Sequence, residues 1–252
     1  MLVLKLALSP ALILIASLAA RRWGALVAGW IAGFPLTSGP VSIFLAVEQS
    51  PTFAAAAAEA TLVGVIAMVA FCLAYAKLAP SRGVPASLVG AIAAMLATTA
   101  LLLALDPSLP ATLVLLLATT TFSLAAIPRL PLAAPSGDPP WWDIPARMAV
   151  AVGLVVGLTE FADLLGPELS GLISPIPIFA SVLAVFTHRH DGGSAAAELL
   201  RGVILGSFSF STFFLVVALG LDRFGLVETY ALATATATAV NVATLALTRR
   251  RT

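Results

Sequence analysis

Charge is scarce in this chain. It carries 13 basic and 12 acidic side chains in 252 residues, 10% charged, where a soluble domain of this size has about 25%. Such a chain cannot keep most of its surface in water. It has one cysteine, Cys72, so an intramolecular disulfide is excluded, and its apolar surroundings mark a small buried hydrophobe. Its two histidines both fall in "HRHD", His188 to Asp191, and no second group of nitrogen or sulfur ligands accompanies them. This stretch reads as a solvated turn in a short loop. There is no GxSxG, P-loop, HExxH or CxxC, so the chain is expected not to be an enzyme and to need no cofactor. A net charge of +1 says nothing about nucleic acid, but no basic patch interleaved with aromatics is there to bind it, so no nucleic-acid partner is expected.

What the chain has is apolar length. Hydrophobic residues make up 60% of it, and the mean hydropathy is +1.07. The charges cluster between runs of about 20 apolar residues, enough to cross a hydrocarbon core. These runs are continuous rather than alternating, which excludes a β-barrel. Nine spans follow, at 2–20, 24–47, 53–78, 84–105, 109–127, 144–165, 169–187, 195–219 and 226–247. The first has Lys5 and "ASLAA" in the manner of a secretory signal, but its counterpart later in the chain argues against removal.

Basic residues orient the spans. With the N-terminus outside, ten of the 13, from Arg21 to Arg251, fall on the cytoplasmic side. Only Lys5 and Arg223 face out, and Arg201 is embedded. The loop "RLPLAAPSGDPPWWD" is Pro-rich and irregular, and Trp141 and Trp142 at its end suit an interfacial anchor.

Displacing the sequence by 142 residues aligns the first four spans with the last four. Gly24 meets Gly166, Gly29 meets Gly171, Gly64 meets Gly206, Gly83 meets Gly225, and Pro35 meets Pro177. With 18 glycines in the chain, about 0.5 such coincidences are expected over about 100 positions, and four occur. One linker span separates the units, so the second enters the membrane from the opposite side. The expected fold is an all-α membrane protein of nine helices, two inverted four-helix repeats joined by a linker helix. The first repeat occupies 1–106, the linker and its loop 107–142, and the second repeat 143–252.

Inversion gives meaning to "GWIAGFPLTSGPVS", Gly29 to Ser42. Pro35 and Pro177 stand near the middle of the second and seventh spans, where each removes a helical hydrogen bond. Freed backbone groups survive in a bilayer only against protein or a water-lined space. Thr37, Ser38 and Ser42 in one repeat, and Ser174 and Ser181 in the other, are placed to meet them. Paired interruptions of this kind point to a midplane binding site, with the two prolines close to the pseudo-two-fold axis. Kinks without a ligand are the plainer explanation.

Glu59 stands alone in "AAAAAEATLVG", and its repeat mate is Arg201. Ionisable groups within spans are expensive and mark pathways. Arg201 also has Glu198 at i−3 as a neutralising partner. Glu160 and Asp163 mark a span end. Asn241 lies on one face with Thr234 and Thr238, a pattern that helix packing also explains.

The run "LKLALSPALILIASLAARRWGALVAGWIAGFPL" and the later "GVPASLVGAIAAM" resemble the GlpM-like bacterial inner-membrane proteins, four-span chains with a basic break after the first span and "FP" in the second. The resemblance covers about 100 residues and implies that the four-span unit exists alone, as a dual-topology dimer, and was here duplicated with an added helix. It implies a bacterial inner-membrane location and supplies no catalytic residues. The expectation is a small secondary transporter or permease, with the lipid bilayer and a small molecule or ion as partners and a homodimer as one assembly. A non-transporting accessory or assembly protein is the alternative.

Overall fold

The computed structural model describes residues 2–127, 140–157 and 177–249, with side chains described from 10 to 246 within those ranges. Among these residues the protein is all-helical. Ten helices follow in order: α1 (Leu2–Trp23), α2 (Ala25–Ala32), α3 (Ser38–Glu48), α4 (Pro51–Leu78), α5 (Val84–Leu105), α6 (Leu109–Ala126), α7 (143–157), α8 (Ile178–Asp191), α9 (Gly193–Gly220) and α10 (Leu226–Arg249). Four of them, α4, α5, α6 and α9, are long and apolar enough to cross a membrane.

Local chemistry sets the ends. Gly24 separates α1 from α2 at φ 90°, a left-handed conformation that only glycine adopts cheaply, and the two helices fold back on each other there. Ser50 caps α4 by accepting from the Phe53 amide at 3.0 Å, with Pro51 in the first turn. At the end of α5, Asp106 takes the left-handed C-cap with φ 41°, and Pro107 follows. Pro110 then opens α6.

The second span is two helices, not one. α2 ends at Ala32, α3 begins at Ser38, and Pro35 lies buried between them. Pro177 is the N-cap residue of α8, so that helix also begins beside a proline. "HRHD" is not a free turn: it forms the last turn of α8, and the Tyr75 hydroxyl meets His188 Nδ1 at 3.2 Å. The Ala- and Val-rich stretch before it is apolar enough to carry the helix through to its polar end.

α9 is the centre of the molecule, buried along most of its length. It packs most extensively on α4 and α2, then on α10 and α8. α4 and α9 run antiparallel. A Cβ built on Gly193, at the start of α9, falls on the carbonyl of Ala79, just past the end of α4. At the other end Ala54, Ala58 and Leu62 share a cluster with Phe213, Val217 and Leu221. α2 and α8, the described part of the seventh span, therefore do not form the centre together. α2 lies on α9, and its contact with α8 is small. The reason is close approach: α2 and α9 meet through glycines, whereas α8 offers α2 none.

Candidate functional site

Beginning from the interrupted helix, Gly29 of α2, its C-cap Gly33 and two glycines of α9 make a close helix crossing. A Cβ on Gly29 would lie 1.8 Å from the Leu199 carbonyl oxygen, and one on Gly202 would lie 2.0 Å from that of Leu26. Gly33 and Gly206 face each other directly, each blocked at 2.7–2.8 Å by the other's backbone or by that of Val203 and Trp30. "GWIAG" and "GVILG" are thus a pair of G-xxx-G segments in mutual contact, a device for bringing membrane helices close. This signal was present in the sequence and was missed, because the glycines were read as part of a break rather than as a contact face.

The contact fixes the depth of the break. Gly206 lies at the middle of the 28-residue α9, so the Gly33–Thr37 interruption sits at half the height of the central helix. Here the Gly29 and Ile31 carbonyls accept from the Gly33 and Phe34 amides at 2.9 and 3.1 Å. Leu36 folds back on Phe34 at 2.8 Å, and Gly39 on Pro35 at 3.0 Å. Thr37 is the N-cap of α3 but makes no side-chain cap bond. Thr37 and Ser38 are half-buried. The C-terminal end of α2 and the N-terminal end of α3 therefore meet at one level, bringing partial charges of opposite sign together.

α10 contributes at the same height. It runs antiparallel to α9, with Thr229 beside Gly220 and the Ser209 hydroxyl on the Ala237 carbonyl at 2.9 Å. That register puts Asn241 level with Gly206. Its backbone carbonyl accepts from Trp30 Nε1 at 3.2 Å, joining α10 to the last turn of α2. Asn241 is only 8% exposed, and its Oδ1 has no hydrogen-bond partner among the described residues. A buried polar atom left unpaired costs about 1–3 kcal/mol.

The remaining predicted residues separate. Ser42 does not serve the break: its hydroxyl bonds Tyr230 at 2.7 Å, near the N-terminal end of α10. That pair lies behind an open groove of about 720 Å³ between α3 and α10, lined by Ile43, Leu226, Val227 and Thr234 among others. Thr234 and Thr238 bond back to carbonyls of their own helix at 2.8 and 2.7 Å, so the groove is apolar in effect.

Glu59 is exposed on α4, away from the break. Arg201 is buried, and its Nη1 donates to the Leu124 and Ile127 carbonyls at 2.9 and 3.3 Å. It thereby caps the C-terminal end of α6, where a cation also meets the helix dipole. By the antiparallel register Glu59 and Arg201 differ in depth by about 18 Å. Ser174, Glu160 and Asp163 lie outside the described residues. Pro35, Thr37, Ser38 and Asn241 are therefore the expected site residues that the structure assembles at one level, and Trp30 joins them unforeseen.

No family model matches this chain, and neither a curated protein nor a solved structure matches it.

Proposed function

We propose that the protein is a small secondary transporter or permease built as an inverted repeat, with its site at the α2–α3 break. The observation that carries this reading is the coincidence, at half the height of α9, of an interrupted helix and a buried amide oxygen with no partner. Discontinuous helices whose ends point at the midplane are how transporters expose backbone groups to a substrate.

The helix bounds support the duplication. α4 and α9 both span 28 residues, displaced by 142 at each end (51 to 193 and 78 to 220). α5 and α10 begin at 84 and 226, the same displacement. Unpaired buried oxygens repeat as well: Ser87 matches Thr229, and Thr99 matches Asn241. In this reading α4 and α9 are repeat mates, and their extensive contact suits a pseudo-two-fold axis passing between them. The four-span unit resembling GlpM-like proteins supplies the ancestral piece in this reading, and a bacterial inner membrane its location.

The accessory-protein reading draws on one observation. Gly33 and Pro35 are buried and Gly33 is packed backbone to backbone on α9, which suits a dry joint.

A test that needs no substrate separates the two. Thr37→Cys, Ser38→Cys and Asn241→Cys, each in a Cys72→Ser background, are reconstituted in liposomes and treated with a membrane-impermeant maleimide from either side. Alternating access predicts that at least Thr37→Cys and Ser38→Cys are labelled from both faces. Protection of all three from both faces means a dry joint and overturns the transport reading.

A further inference from the structure

We propose that the corner joining the end of α1 to the start of α7 binds the phosphate of an anionic phospholipid headgroup. The proposal rests on the chain lying in a membrane and stands whether or not the protein transports anything.

Arg21 Nη2 lies 3.5 Å from Asp143 Oδ2, and Arg147 Nε lies 3.0 Å from the same oxygen. Asp143 and Arg147 are almost fully buried, with side chains 6% exposed, whereas that of Arg21 is 40% exposed. Arg147 also sits over the Phe186 ring, 5.3 Å from its centroid, which ties α8 into the corner. The short bridge inside the protein neutralises Asp143. Arg21 keeps only its long contact, and the neighbouring Arg22 is exposed. Two guanidinium groups thus meet one carboxylate among the described residues of this corner, Arg22 adds a third at the same helix end, and the excess positive charge faces outward.

Three indoles stand around that charge. Trp23, Trp141 and Trp142 are 60, 85 and 52% exposed. The Arg21–Asp143 contact places the end of α1 and the start of α7 together, so all three belong to one corner. An indole with an apolar body and one N–H donor is most stable at the level of lipid headgroups. That level is also where phospholipid phosphates lie, and the planar guanidinium fork fits a phosphate in two-point contact. A free anion would satisfy the arginines but leave the three indoles unexplained. The shared level of indole and guanidinium is what selects a lipid.

The wild-type chain in dodecyl maltoside micelles, titrated with dioleoyl phosphatidylglycerol or dioleoyl phosphatidylcholine, tests this through tryptophan fluorescence. Phosphatidylglycerol is expected to bind saturably and about tenfold more tightly than phosphatidylcholine. Each arginine is expected to contribute about fivefold, so Arg21→Gln with Arg22→Gln weakens phosphatidylglycerol about 25-fold. Arg22→Gln alone leaves the Asp143 bridge in place and should still lose about fivefold, which keeps the test decisive if the double variant misfolds. Arg82→Gln with Arg189→Gln removes the same net charge from elsewhere and should change binding less than about twofold. Equal affinity for the two lipids, equal loss in the control pair, or competition by millimolar inorganic phosphate would each overturn the proposal.

Discussion

Gly64 and Gly206 occupy the same place in the 28-residue helices α4 and α9 yet meet different surroundings, and one methyl group distinguishes them. A Cβ at Gly206 would lie 2.7 Å from Gly33 Cα and 2.7 Å from the Trp30 carbonyl oxygen. Carbon atoms in good contact stand about 3.5–4.0 Å apart, so Gly206→Ala must push α2 and α9 apart by about 1 Å. Both obstacles are backbone, and neither can rotate away. Overpacking of this kind costs about 1–3 kcal/mol, and a gap of that size forfeits a quarter to a half of each neighbouring contact. Alanine's better helix propensity returns about 1 kcal/mol. The net expectation is a loss of about 2 kcal/mol, roughly a 30-fold shift in the folding equilibrium and about 4–8 °C in melting temperature. At Gly64 nothing lies within 4 Å of the added Cβ, so Gly64→Ala should be neutral or slightly stabilising. Thermal unfolding of both variants in the same micelles checks this. A Gly206→Ala protein as stable as wild type, or a Gly64→Ala protein equally damaged, would refute the glycine crossing.

Arg201→Gln should destabilise the protein by about 2–3 kcal/mol, because the Leu124 and Ile127 carbonyls at the end of α6 lose a charged donor while staying buried; Arg201→Lys should recover only part, since an ammonium cannot reproduce the guanidinium fork, and limited proteolysis after α6 is the readout. The orientation is checked by reporter fusions, expected to read external after Asp106 and Asp222 and cytoplasmic after Arg82 and His190. Both termini on one side of the membrane would refute it.

Composition and periodicity carried much of this protein. A hydrocarbon solvent leaves the backbone few choices, since every span must satisfy its own hydrogen bonds. Apolar runs between charges therefore translate directly into helices, and α5 occupies the 84–105 expected for it. Pro35 was legible as a break for the same reason: its missing donor acts on its own helix. The 142-residue displacement was legible too, as glycines that recur more often than chance allows, and the bounds of α4 and α9 follow it. What the sequence could not reveal was who faces whom. Gly29, Gly33, Gly202 and Gly206 act only as a set, across helices separated by more than 160 residues, and the energy gained depends on backbones approaching to a distance no local pattern encodes. Ser42 has the same chemistry in either role, yet α10 brings Tyr230 to 2.7 Å and takes it from the break. Arg201 also reaches the carbonyls at the end of α6, a contact across 77 residues that no local pattern encodes. Local chemistry decides which segments are helical and where they stop. Packing decides which polar groups find partners, and at the break it leaves Asn241 Oδ1 without one among the described residues.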